Sequence, residues 1–455
     1  MRAVARLVTY SPFRRISWGL ADQAVTSAMS FAVGAVVARS LGLHEFGAFS
    51  LAWVTYGVSL NISRGLATDP LAVRFSGVPD AQWRAAARRA SGTALMVGLV
   101  LGACCAAIGL LLPGSIGPAF LALGICLPGL LLHDSWRFAF FAAGRGRRSV
   151  VSDLSWALTL VPVLYVATRE PTVAKCMLAW GGCAAVGALV SLLQARTLPR
   201  PDRTRQWLVE QRDLGPRYLM ENLSISGAAQ LLAYGLGAIA GLAAVGTVRG
   251  AELLMGPFLM IMSGIGLIAV PEAARVLKRA AHRLVTFCAI LGAAQACVAL
   301  MWGALLLLVV PDSFGEFALG EVWTASSALI VPATLAMMSA SMITGAAAGL
   351  RALGMARRSL RSQLMASSAY LTFGLTGGWF GGALGASWGT AAATFVGMII
   401  WWYNLRAGLW NQPVEPVPPA ARGATFGGSG ARLEEDVVVA VGHPGPHRVG
   451  EGRVR

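Results

Sequence analysis

Lysine is nearly missing from this 455-residue chain: of 37 basic residues only Lys175 and Lys278 are lysine, and the rest are arginine. Neither lysine follows a glycine, so the Gly-Lys-Ser/Thr core of a P-loop is absent and ATP hydrolysis by that route is excluded. Charge of either sign is scarce, 13% of residues against roughly 25% in a soluble domain. Histidine is rarer still, and the one His-Glu pair, His44-Glu45, lacks the second histidine of a zinc-protease helix. The seven cysteines all sit inside apolar runs without metal-ligand spacing, which leaves them as small apolar filler and implies no metal and no cofactor. So few charges could not cover the surface of a soluble enzyme, a disulfide scaffold or a disordered chain of this length.

What is abundant is apolar: 56% of residues are hydrophobic and 54 are glycine. A membrane helix needs about 20 apolar residues. Residues 92–132 carry no charge over 41 positions and are broken only by Pro113-Gly114 and Gly117-Pro118. Residues 362–405 carry none over 44 and are broken by a glycine-rich run from Gly377 to Gly382. Each stretch reads as two helices joined by a tight turn, because unpaired backbone groups cannot remain in hydrocarbon. The same reading along the chain gives about twelve spans. They lie near 16–38, 46–66, 92–112, 116–143, 150–167 and 174–195, then 218–245, 251–270, 284–310, 322–350, 364–379 and 383–403.

The arginines fall in short bursts between these spans, and 31 of the 37 basic residues lie in the first fifteen residues, the even-numbered loops and the tail. The odd-numbered loops hold only Arg39, Arg169, Lys175 and Arg249. Such alternation is that of membrane loops, not of a nucleic-acid groove, and the positive-inside rule puts both termini in the cytoplasm. The first apolar run, interrupted by Asp22-Gln23, reads as an uncleaved helix and not as a signal peptide. Four regions follow: a six-helix bundle at 1–195, a basic cytoplasmic linker at 196–217, a second six-helix bundle at 218–404, and a Pro- and Gly-rich disordered cytoplasmic tail at 405–455.

The two halves share a faint repeat at an offset of 199: Asp22-Gln23 with Glu221-Asn222, Gly42 with Gly241, and Gly47 with Gly246. Six spans per half make the copies parallel, related by a pseudo-two-fold axis along the membrane normal. The stretch WGLADQAVTSAMSFAVGAVVARSLGLHEFGAFSL, residues 18–51, resembles the opening of bacterial polysaccharide exporters and O-antigen flippases. The resemblance rests on Asp22-Gln23, Ala38-Arg39 and the turn Leu41-Gly42…Glu45-Phe46-Gly47. Those proteins belong to the multidrug/oligosaccharidyl-lipid/polysaccharide (MOP) exporter superfamily. It implies an all-α polytopic membrane protein of two six-helix bundles. It also implies movement of a lipid-linked oligosaccharide from the inner to the outer leaflet of the bacterial cytoplasmic membrane by alternating access. Partners would be the anionic lipid-linked sugar, the bilayer, and glycosyltransferases and a polymerase of surface polysaccharide. The drug-extruding branch of the superfamily, cation-coupled and also of twelve spans, is the alternative. A membrane enzyme or scaffold of glycan assembly is a weaker one, since the loops are too short to hold a catalytic domain.

Ionisable residues within spans are the candidate functional groups, because burying them in lipid costs several kcal/mol. Arg64, Arg137, Arg39 and Arg249 are candidates for substrate binding, since a guanidinium pairs two phosphate oxygens at once. Asp22, Glu221, Asp134 and Glu252 are candidates for ion coupling. The competing expectation is plain pairing: Asp134 with Arg137, Asp22 with Arg64, and Glu252 with Arg249. The ridge Gly377, Gly381, Gly385 and Gly389 is expected to serve close helix packing.

Overall fold

A computed structural model describes residues 11–410, and these are helical almost throughout, with no strand among them. The tail expected from 411 onward, with Arg2 and Arg6, lies outside the described residues. Fourteen helices follow in order: α1 (Ser11–Ser40), α2 (Leu43–Ser63), α3 (Asp69–Arg74), α4 (Asp80–Leu111), α5 (Ile116–Ala142), α6 (Gly146–Ala167) and α7 (Val173–Ala195). Then come α8 (Thr204–Glu210), α9 (Gly215–Arg279), α10 (Leu284–Leu308), α11 (Asp312–Leu319), α12 (Glu321–Ser327), α13 (Ile330–Ala352) and α14 (Ala356–Trp410).

Among the described residues nine helices are long and apolar enough to cross a membrane. Two of them are double crossings. Helix α9 is broken at Gly241, whose φ of 82° only glycine adopts without strain, and α14 is broken at Gly381 and Gly382. Counting each broken helix twice and adding α2, whose 21 residues span about 32 Å at 1.5 Å per residue, gives the twelve spans expected. The Pro113-Gly114 break is likewise a turn, with α4 ending at Leu111 and α5 starting at Ile116. Trp379 and Phe380 stand exposed beside the α14 turn, where aromatic rings suit the membrane interface.

Three boundaries that bear on the spans differ from the sequence reading. The tenth span, expected from Val322, starts at Ile330, with α12 a separate short helix before it. The turn between the seventh and eighth spans lies at Gly241, so Arg249, expected in the loop, is in the third turn of a membrane helix, and Glu252, expected at the helix edge, lies deeper still. The last helix runs on through residues 405–410, which therefore belong to the final span and not to the tail.

Helix packing separates the halves. In the first, α4 lies on α5, α5 and α6 on α7, and α1 on α6; in the second, α10 lies on α13, and α14 on α9 and α13. Lipid offers no hydrophobic drive for helices to associate, so close backbone approach at small residues takes its place. Gly102 of α4 faces the Gly124 carbonyl of α5. Of the expected ridge in α14, Gly377 and Gly385 each lie against the other's carbonyl and Gly389 against that of Phe373, whereas Gly381 sits in the turn and packs on nothing among the described residues.

The halves meet along α2 and α9. A side chain at Gly47 would run into the Leu242 carbonyl, and one at Gly246 would run into the Leu43 carbonyl. Leu43 with Leu242, and Gly47 with Gly246, are each 199 residues apart. One contact is thus the two-fold image of the other, which gives the sequence repeat a physical basis at the arginine-poor end. At the opposite end Gly65 packs on the backbone of Leu219, and Asn61 Nδ2 donates to Ser226 Oγ at 2.7 Å.

The linker is built, not loose. Helix α8 buries Trp207 fully, and its indole N–H donates to the Leu66 carbonyl at 3.1 Å.

Candidate functional site

Helix α2 widens into a single π-turn at Arg64–Thr68, where Gly65 admits the backbone of α9. Such turns are frequent at functional sites. Here it carries Arg64 toward α5, whose Nε and Nη2 donate to both oxygens of Asp134 at 3.0 and 2.8 Å. The same guanidinium lies 4.8 Å from the Phe138 ring centre. Asp134 shares a face of α5 with His133 and Arg137, as the i, i+3 and i+4 spacing requires.

Arg137 binds three carboxylates: Asp22 of α1 at 2.5 Å, Asp153 of α6 at 3.2 Å, and Asp134 at 3.5 Å. His133 lies 3.3 Å from Asp153 and 3.0 Å from Ser152 Oγ, and Ser149 donates to Asp22 at 2.7 Å. Four helices thus enclose three carboxylates, two guanidiniums and one imidazole. The expected Asp134–Arg137 pair is present at 3.5 Å, but the partner that takes both oxygens of Asp134 is Arg64, and Asp22 pairs with Arg137 and not, as expected, with Arg64. Helix packing accounts for this, since α1 lies on α6 and α2 on α5. Arg137 is 12% exposed and surrounded by its counter-ions, so it does not stand free in an aqueous vestibule, whereas Arg64 keeps 29% of its side chain exposed.

The Arg249–Glu252 pair is as expected, at 2.8 Å, with Glu252 half exposed. It sits where three cavities adjoin. One of about 170 Å³ includes Gln230, Arg249, Glu252 and Tyr370 in its wall. A second, about 600 Å³, continues into the second bundle past Met255, Met262, Gln363, Thr394 and Trp401. A third, about 520 Å³, is a slot between α1 and the second half of α9, lined by Gln23, Thr26, Ser27 and Ser30 on one side and by Arg249, Glu252 and Met260 on the other. These helices touch where Gly34 packs on Leu253 and Phe31 lies beside Gly256, and the slot opens from there toward the arginine-rich end. Thr26 joins slot to charge network: its hydroxyl donates to the Asp22 carbonyl at 2.8 Å and receives Arg137 Nη2 at 3.2 Å.

Arg39 and Glu221 are not brought to the cavities. Arg39 ends α1 exposed, with its guanidinium 4.3 Å from the Phe317 ring centre. Glu221 is exposed near the start of α9 and has no ion pair among the described residues, while its neighbour Asn222 donates to Asp69 at 2.8 Å. The repeat therefore equates Asp22 and Glu221 in sequence but not in surroundings.

Several cavity residues escaped the search for charges. Gln363, Ser367 and Tyr370, then Ser387, Thr390 and Thr394, all line the second cavity from the charge-free stretch. Their spacings of three, four and seven are those of one helix face, and that polar stripe was the available signal. Ser387 stands in the string Gly385-Ala386-Ser387-Trp388-Gly389, the Gly-x-Ser-x-Gly pattern of hydrolases. Here it lies within continuous helix, not on the strand-to-helix turn that exposes such a nucleophile.

No protein-family model and no curated protein matches the chain. Solved structures do. A multidrug resistance MATE family transporter of the MOP superfamily, in an inward-facing conformation, superposes with a TM-score of 0.58 at 15% identity, over 86% of this chain and 96% of that one. The lipid II flippase MurJ, in an inward closed conformation, gives 0.58 at 11% identity, over 86% and 87%. A eukaryotic MATE transporter gives 0.52 at 14% identity, over 85% and 99%. The chain has the fold of the MOP superfamily transporters. In that MOP fold the adjoining cavities lie between and within the two bundles, and the buried charge network lies wholly inside the first.

Proposed function

We propose that the chain is a flippase for a lipid-linked oligosaccharide, a precursor of surface polysaccharide, working by alternating access in a bacterial cytoplasmic membrane. Both termini and the arginine-rich ends of the helices face the cytoplasm. The observation that carries this reading is the slot between α1 and α9, which sets Gln23, Thr26, Ser27, Ser30 and Arg249 in largely apolar walls and is edged by the exposed apolar side chains of Phe31 and Met260. A polar head can enter between two helices there while its lipid tail stays in hydrocarbon. Arg249 meets the pyrophosphate from the cavity wall, and Arg64 is the second candidate, since part of its side chain remains exposed. Arg39 serves neither role.

An anionic head leaving an inside-negative cell gains about 2.3 kcal/mol per charge per 100 mV, so the potential can drive the flip. Asp22, Asp134 and Asp153 outnumber Arg64 and Arg137 by one, and that surplus carboxylate supplies a place for a coupling cation. Sugar polymerisation by glycosyltransferase and polymerase partners would consume the product.

One feature favours a second reading. Glu252 is more exposed than Arg249 and stands among methionines and Tyr370, a surface suited to an organic cation. Reconstituted vesicles separate the two. Arg249→Gln should abolish lipid-linked sugar translocation, and wild-type protein should move no ethidium. Ethidium transport lost in Glu252→Gln, with lipid-linked sugar unmoved, would give the drug exporter instead.

A further inference from the structure

The arginine-rich end of the first bundle holds a second concave site that shares no lining residue with the three cavities. Its volume is about 290 Å³, and its walls are Ala85, Arg88 and Arg89 of α4 with Arg200, Arg203 and Gln206 of the linker. The fold builds this pocket by fastening linker to helix. The Arg200 backbone N–H donates to the Arg88 carbonyl at 2.8 Å, and Arg88 Nε donates to the Leu198 carbonyl at 3.2 Å. Gly92 lies directly against the backbone of Arg200 and Pro201, where any side chain would collide.

Four guanidiniums converge there, and two have partners. Arg89 donates to both oxygens of Glu210 at 2.8 and 2.7 Å, and Arg203 lies 3.5 Å from Asp202. Among the described residues Arg88 and Arg200 have no carboxylate within salt-bridge distance, so the wall carries two uncompensated positive charges. Gathering like charges in a concavity is unfavourable until an anion enters.

Depth identifies the anion. Beyond the polar Ser91, α4 runs from Gly92 to Leu111 and rises about 30 Å, the thickness of the hydrocarbon layer. Arg88 and Arg89 therefore lie one turn beyond it, at the level of lipid phosphates. We propose that this pocket binds the phosphate of an anionic phospholipid headgroup and so clamps the linker between the halves to the first bundle. Arginine forks suit a phosphate's oxygens. The proposal is independent of the substrate carried through the central cavities.

Native mass spectrometry of the full-length protein in neutral detergent tests it, with phosphatidylglycerol against phosphatidylcholine of the same chains. Wild type should retain phosphatidylglycerol in roughly tenfold preference, and Arg88→Gln with Arg200→Gln should bring that within about twofold of parity. Arg147→Gln, an exposed arginine outside the pocket, should leave the preference intact. If the double variant melts early in neutral lipid, Arg200→Gln alone decides, because Arg200 holds the linker through its backbone and not its side chain, whereas the Arg88 side chain bonds the Leu198 carbonyl. An unchanged preference in the pocket variants, or an equal loss in Arg147→Gln, would overturn the proposal. Displacement of the lipid by millimolar inorganic phosphate would assign the pocket to a free ion and overturn the lipid.

Discussion

The reciprocal glycine contact makes a sharp test of alternating access. Gly47 and Gly246 let the arginine-poor ends of α2 and α9 touch backbone to backbone, and only a conformation with those ends together suffers from an added methyl. Gly47→Ala puts its Cβ against the Leu242 carbonyl, which belongs to a packed helix and cannot swing aside as a side chain would. Overpacking of this kind costs about 1–3 kcal/mol. That cost falls on the closed arrangement alone, so the equilibrium should move toward separated ends by about 5- to 150-fold. A cysteine at Ala229, an exposed residue of the cavity wall, reports the shift. In a background freed of native cysteines, an impermeant maleimide added on the arginine-poor side should label it faster in Gly47→Ala than in the parent. Gly246→Ala should act alike, by symmetry. The double variant should add little, because once the ends part neither methyl meets its carbonyl. Additive loss of stability without faster labelling would refute the reasoning, since it would mean that both glycines serve packing in every state.

Three further outcomes are expected. Arg137→Gln, which leaves three carboxylates facing one another, should destabilise the protein by about 3–5 kcal/mol in equilibrium unfolding, and Arg64→Gln by less, because Asp134 keeps Arg137 nearby; Asp22→Asn, which balances the remaining charges, should be mildest, and an inverted order would break the pairing scheme. Single cysteines at Ser115, Asp312 and Gly378 should react with an impermeant reagent added outside intact cells while those at Arg147, Arg279 and Arg358 do not, and the reverse pattern would invert the orientation. Gly92→Leu should push Arg200 and Pro201 from α4 and speed proteolysis within residues 196–203, whereas unchanged digestion would show that the linker is held by Trp207 alone.

Span count and turns were legible because lipid imposes them: a charge-free run twice too long must turn, and Pro113-Gly114 and the 377–382 glycines say where. The choice of ion-pair partner was not. Asp134 is within reach of Arg137 along one helix, and spacing alone favoured that pair. Arg64 reaches it as well, because α2 lies on α5, and a contact between helices leaves no mark in a periodicity of 3.6. The start of the eighth span is masked by Arg249, which reads as a loop charge, although the repeat marks Gly241 as the partner of Gly42. The uncharged polar residues of the cavity wall carry no charge signal and show only as a helix face.

Leu43 touching Gly246 while Leu242 touches Gly47 is the bonding pattern of a homodimer, residue i on j and j on i, written into one polypeptide. In a true dimer every substitution appears twice, so a buried acid on one side commits the other side as well. A fused pair escapes that rule everywhere except at the seam. The seam of this chain has kept its small residues and its register, whereas thirty or so ångströms away Asp22 lies locked against Arg137 and its counterpart Glu221 stands bare. Symmetry here governs the seam and releases the residues away from it, so the charge network of the first half has no copy in the second among the described residues.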